Sequence, residues 1–330
     1  MAQCRGTLME DRVRTSRSSL KPARLPLLGC ALSALVAGTG VLLAQTAPPA
    51  PPAPQTFAER VAATERELIE HEPTLHRLPP DKRKAMIEFV IGNLLFVSSH
   101  ELGHGVLAEF ELPNLAHDED AADNFAILTA LKVGNSFSDR VLVEATNGWY
   151  LADLRDKATG EKPAYYDSHG MNLQRGYQII CMMVGSHPER FKDLAERAEM
   201  PEDRQAGCKL DFAFADWSWN ALLKPHLRAP DAPRQKIELS YGEAKGKLGV
   251  FARTFRDIKF LETLAEHLGE RYAWPQPFVM EMVECGEVGA NWHSRKLKIC
   301  YEMAQEFAEL YRDYGDKLKI FEVSARKKRR

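Results

Sequence analysis

Asn93-Leu94-Leu95-Phe96-Val97-Ser98-Ser99-His100-Glu101-Leu102-Gly103-His104 is the stretch on which the reading of this chain turns. It sits in a longer run, Arg83 to Phe110, where Met86, Phe89, Val90, Leu94, Val97, Leu102 and Val106 recur at helical spacing. The run is apolar nearly all round, which predicts a central, buried helix. Pro79-Pro80-Asp81 supplies its start signal, with Asp81 as the expected N-cap. On such a helix His100 and His104 lie one turn apart on one face. Both imidazoles can then hold one metal ion, and Glu101 can reach a water beside it. The competing reading is a pair of helix histidines with no metal.

A catalytic zinc usually takes three protein ligands and leaves one position open. The third is expected from the next element. Glu111-Leu112-Pro113-Asn114 ends the first helix, and a second is expected from about Asp118 to Val133, with Asp118, Glu119 and Asp120 in its first turn. Glu119 and Asp123 are four apart and share a face. Glu119 can bind the metal while Asp123 accepts a hydrogen bond from the far nitrogen of a ligand histidine. Asp118, Asp120 and His117 compete for the third position. Gly103 and Gly105 cost a helix about 1 kcal/mol each relative to Ala. They are expected where another element approaches the backbone.

These segments carry a resemblance. The stretch ending in His100-Glu101-Leu102-Gly103-His104, then Asp118-Glu119-Asp120-Ala121-Ala122-Asp123-Asn124-Phe125-Ala126, resembles a bacterial family of exported zinc metallopeptidases of uncharacterised function. The likeness continues through Asp167-Ser168-His169, Gln174-Arg175, Cys181 and Gly185, and ends with Cys285-Gly286-Glu287 and Cys300-Tyr301-Glu302. More widely it is similar to the gluzincins, whose HExxH, Glu ligand and Asp four residues later match His100, Glu101, His104, Glu119 and Asp123. The resemblance implies a zincin-like hydrolase fold and no particular substrate. One departure stands out. Gluzincins often hold substrate backbone with an Asn-Ala-x-Tyr edge strand that precedes the motif helix. The comparable place here is Gly289-Ala290-Asn291-Trp292, which lacks that pattern and follows the helix, so the sheet order is permuted if the two correspond.

With zinc bound, Glu101 is expected to act as general base. The oxyanion of the tetrahedral intermediate needs a further donor, for which His169 is the first candidate and Tyr165, Tyr166, Arg175 and Tyr177 are alternatives. His169 can instead cap the following helix or bond Asp167. His187, His226, His267 and His293 have no partner at ligand spacing and read as surface or structural histidines. Phe212, Phe214, Trp217 and Trp219 read as core. Glu302 reads as a helix N-terminal dipole partner.

Residues 1–46 read as a signal peptide or signal anchor: Arg12, Arg14, Arg17, Lys21 and Arg24 precede an apolar run from Leu25 to Ala44. Leu27-Leu28-Gly29-Cys30 resembles a lipidation box but opens the apolar run instead of closing it. Residues 47–55 are an Ala/Pro spacer, and 56–330 form the expected catalytic domain. Of 44 basic and 46 acidic side chains, residues 1–54 hold six and two, leaving a net charge of −6 beyond them. That balance argues against a nucleic-acid partner, and the basic end Arg326 to Arg330 reads as solvated. An export signal favours disulfides among Cys181, Cys208, Cys285 and Cys300. Sequence neighbours are the simplest pairing, Cys181–Cys208 and Cys285–Cys300, against free buried thiols.

Further helices are expected at Thr56–Glu70, Phe137–Asp156, Leu173–Val184, Phe191–Glu199, Gly207–Leu223, Phe251–Tyr272 and Glu302–Tyr314. Strands are expected at Lys236–Tyr241, Phe278–Glu284 and Lys296–Tyr301. The fold class is mainly α with a small β-sheet. The expected function is Zn2+-dependent hydrolysis of a peptide or protein in the periplasm or outside the cell, with membrane contact only through residues 25–44. A non-catalytic zinc-binding envelope scaffold and a zinc amidase acting on cell-wall peptide are the alternatives.

Overall fold

A computed structural model describes residues 57–71, 78–115, 117–267 and 269–318. The leader, the Ala/Pro spacer and the basic C-terminal end lie outside the described residues. Among the described residues, ten α-helices and four strands follow in chain order: α1 (Phe57–His71), α2 (Pro80–Glu109), α3 (Asp118–Val133), α4 (Ser136–Thr159), α5 (Asn172–Ser186), α6 (Pro188–Arg197), α7 (Glu202–Leu223), β1 (Ile237–Tyr241), α8 (Gly246–Asp257), α9 (Phe260–His267), β2 (Phe278–Val283), β3 (Ala290–His293), β4 (Lys296–Cys300) and α10 (Tyr301–Tyr314).

The central element is α2. It packs against α1, α3, α4, α10, β3 and β4, and Phe89, Leu94, Leu102 and Val106 are almost wholly buried on different sides of it. By length and composition it could cross a membrane, but most of its apolar window is buried inside the protein. Its all-round apolarity therefore marks a core helix. Its start differs from expectation. Pro79 holds the N-cap position, Pro80 opens the helix, and Asp81 sits in the first turn without capping it. Proline at the first helical position forfeits nothing, because that N–H has no helical partner.

The sheet has the order β1-β2-β4-β3. The β1–β2 and β2–β4 pairs are parallel, and β3 is an antiparallel edge strand on β4. The segment Gly289–Trp292 thus does contribute an edge strand beside the motif helix, and it follows that helix in the chain. Gly103 in the motif and Gly105 just after it both serve close approach. A Cβ on Gly103 would lie 3.0 Å from the Ala122 backbone of α3, and one on Gly105 would lie 2.6 Å from the Trp292 ring of β3.

Two further expectations need correction. The helix read over Phe251–Tyr272 is two helices, broken at Ile258-Lys259, where Lys259 takes a left-handed φ of 56°. No glycine or proline announces that break, so local pattern misses it. Of the aromatics read as core on α7, Trp219 is buried, but Phe214 and Trp217 are 61% and 70% exposed. Both cysteine pairs form as neighbours, Cys181–Cys208 between α5 and α7, and Cys285–Cys300 between the segment after β2 and the end of β4.

Candidate metal centre

α2 and α3 lie side by side, and the first turn of α3 faces the last two turns of α2. Helical spacing then does the assembly. Glu119 Oε2 lies 3.0 Å from His100 Nε2 and 3.3 Å from His104 Nε2, and the two histidine nitrogens are 3.2 Å apart. One turn further along α3, Asp123 Oδ1 accepts from His100 Nδ1 at 2.8 Å. The loop before α5 brings a third imidazole, with His169 Nε2 2.8 Å from the same Glu119 oxygen. Ligand atoms of His100, Glu119 and His169 all lie within 4.8 Å of one another.

The remaining nitrogens are held from outside. His169 bonds Asp167 through both its backbone N–H and Nδ1, each at 2.9 Å. Asp118 Oδ2 lies 3.7 Å from His104 Nδ1. Arg175 clamps Asp123 with two hydrogen bonds, Nε at 2.7 Å and Nη2 at 2.6 Å, and its guanidinium stacks 3.8 Å above the Trp149 ring. Arg175 therefore supports Asp123, and it also lines the cleft beside His100 and Glu101. Tyr177 is likewise committed, to the Ala198 carbonyl, and Tyr165 and Tyr166 are exposed. His117 and Asp120, weighed as alternative ligands, are exposed.

Three buried or part-buried carboxylates, Glu101, Glu119 and Asp123, gather at this point. Burial opposes ionisation of Glu119, yet hydrogen bonds from His100, His104 and His169 hold it well below the carboxylate range. Burial also opposes the charge of Asp123, and Arg175 with His100 outweighs burial and lowers its pKa. Burial lowers the His100 pKa, but Asp123, Glu119 and Glu101 raise it to about 9. A centre that draws a proton onto a buried imidazole is one that favours a cation. Donor spacing agrees. Ligands of a tetrahedral zinc at ~2.0–2.1 Å stand about 3.4 Å apart, close to the three separations among His100, His104 and Glu119.

Glu101 is buried beside this cluster, and its Oε2 accepts from the backbone N–H of Trp292 at 3.2 Å. The fit of Trp292 against Gly105 brings β3 that close. A cleft of about 310 Å³ opens alongside, lined by His100, Glu101, His169, Asp156 and Met303 among others. Residue types and spacing pointed to His100, His104, Glu119 and Asp123, and the structure gathers all four. The N–H of Trp292 left no trace in the sequence, because a backbone donor is independent of side-chain type. Arg175 was read as part of the resemblance and as an alternative oxyanion donor, and its clamp on Asp123 was not foreseen.

Residues 59–223, half of the chain, match a family described as "Putative metallopeptidase". The chain belongs to this family. No curated protein and no solved structure matches it. The family's matched region runs from α1 through α7, so it includes the histidine, glutamate and aspartate cluster and leaves out the sheet. A metallopeptidase family implies a metal, and the group His100, Glu119 and His169 could bind one, with His104 Nε2 3.3 Å from the same Glu119 oxygen.

Proposed function

We propose that this protein is a zinc peptidase of zincin-like layout, with the strand order permuted so that the edge strand follows the motif helix. The observation that carries the reading is the convergence of His100, His104 and Glu119, at mutual separations of 3.0 to 3.3 Å, with Glu101 beside them. His100, His104 and Glu119 would hold the ion. Zinc, when bound, supplies a Lewis acid that polarises an amide carbonyl and makes water more acidic.

The chain's own residues do the rest. Glu101 takes the proton of the attacking water and passes it to the leaving nitrogen. The Trp292 N–H orients its carboxylate for that exchange. Asp123 fixes the ring of His100, and Arg175 fixes Asp123. The Nε2–H of His169, which meets Glu119 in this structure, would turn to the oxyanion, with Asp167 steadying the ring. The cleft beside Glu101 receives the peptide. Site of action outside the cytoplasm is part of the proposal, supported by the basic-then-apolar leader and by two disulfides.

Elemental analysis of the full-length chain beside a Glu119→Ala variant tests the reading. About one zinc per wild-type chain, lost or sharply reduced in the variant, is expected. A folded wild type that takes up no zinc when supplied with it would overturn the proposal and favour a scaffold.

A further inference from the structure

α7 buries Cys208, Trp219 and Leu223 and turns the opposite face to solvent. Down the middle of that outer face run Asp203, Gly207, Leu210, Phe214, Trp217, Ala221 and Lys224, all exposed. Their spacing alternates between four and three, which keeps a single stripe straight along a helix. Lys224, at the C-cap, still has helical backbone and continues the stripe. Leu210, Phe214 and Trp217 are 59%, 61% and 70% exposed. Charges at the sides of the stripe are already engaged, Arg204 with Asp211 and Asp216 with Lys132 of α3. Adjoining large apolar side chains on the outside of a helix mark an interaction site.

The order of residues along the stripe says what covers it. Read from either end it runs charge, small, large, Phe214, large, small, charge, and the two end charges are opposite in sign. A second copy laid antiparallel about a two-fold axis at Phe214 therefore meets its own complement. Leu210 comes beside the partner's Trp217. Gly207 faces the partner's Ala221, where small side chains let the two backbones close. Asp203 meets the partner's Lys224. A parallel copy would instead set like charges together at both ends. A lipid surface fits less well, because helices that lie on membranes are rich in Lys and Arg, whereas α7 carries two basic and four acidic residues. Area sets the strength of the pairing. The three large side chains expose roughly 400 Å², about half the ~800 Å² that a standard interface takes from each partner. Such a pair is reversible, not obligate.

We infer that the outer face of α7 is a self-association surface, on which two copies of this chain pair antiparallel about Phe214.

Sedimentation velocity of the full-length chain over a concentration series, in a non-ionic detergent matched to the buffer in density, tests this. A reversible monomer–dimer equilibrium with a Kd of about 10 μM is expected. Trp217→Glu should weaken it about a hundredfold. Asp203→Lys should weaken it about tenfold, since each dimer then holds two like-charge contacts, and Lys224→Asp should do the same. Combining Asp203→Lys with Lys224→Asp should restore the wild-type Kd; in a parallel pair the single changes would leave like charges facing and alter little. All three positions are exposed, so circular dichroism should show every variant folded. A wild type that stays monomeric at about 200 μM would overturn the inference. So would a dimer indifferent to Trp217→Glu, or a double variant as weak as the single ones. Binding to lipid vesicles by a chain that is monomeric in solution would also overturn it, and would assign the face to a membrane. None of these outcomes depends on the metal centre.

Discussion

Three imidazoles face one carboxylate oxygen at Glu119, and their roles separate by substitution. His104→Ala should release the metal. His169→Ala should retain it and lose turnover by about 10²–10³-fold, the usual cost of an oxyanion donor. Metal analysis beside peptide hydrolysis reads both, and metal lost from the His169 variant but kept by the His104 variant would exchange the two assignments. Glu101→Gln should keep both fold and metal while hydrolysis falls about 10²–10⁴-fold. Activity surviving that change would exclude Glu101 as the base.

Among the elements, the contact of α2 with β3 rests on the missing side chain of Gly105. Gly105→Ala drives a methyl into the Trp292 ring. Overpacking of this kind costs about 1–3 kcal/mol, and it should push Trp292 away from Glu101. A drop in denaturant midpoint with kcat falling more than KM rises is the expected pattern. Between α2 and α4, Glu144 is 5% exposed. Burial raises its pKa to about 7, with the nearby charge of Glu88 adding to the rise and Asn147 and Arg140 opposing it. Folded protein therefore holds a proton that the unfolded chain has released, from about pH 4.5 up to about 7. Stability falls as pH rises through that window and is level above it. Glu144→Gln should flatten the fall and raise stability at pH 8 by about 1–3 kcal/mol, as read by urea titration at several pH values. An unchanged slope would place the titration elsewhere.

Across the whole molecule, the two disulfides close loops of 27 and 15 residues. Closing a 15-residue loop is worth about 3 kcal/mol, so replacing the Cys285–Cys300 pair with serines should lower stability by about 2–4 kcal/mol in chemical denaturation. An unchanged midpoint would show that the bond does not constrain the unfolded chain. Legibility from sequence followed the same division by range. Helical periodicity and fixed offsets exposed α2, α3 and the group His100, His104, Glu119 and Asp123, because each contact there is a turn or a neighbouring face. Neighbouring cysteines paired for the same reason of proximity. What stayed hidden was set by distant parts of the chain: the left-handed Lys259 that splits α8 from α9, the bare face of α7 at Phe214 and Trp217, and the Trp292 N–H on Glu101.

The motif carboxylate has its backbone partner on β3, beyond the residues that match the family, while His100, His104, Glu119, Asp123, His169 and Arg175 all lie within them. The candidate ion ligands and the backbone that meets the carboxylate thus come from different parts of the chain. On the reading proposed above, a chimera that keeps residues up to 223 and borrows its later segment from a relative keeps every candidate ion ligand and exchanges the backbone that aligns Glu101.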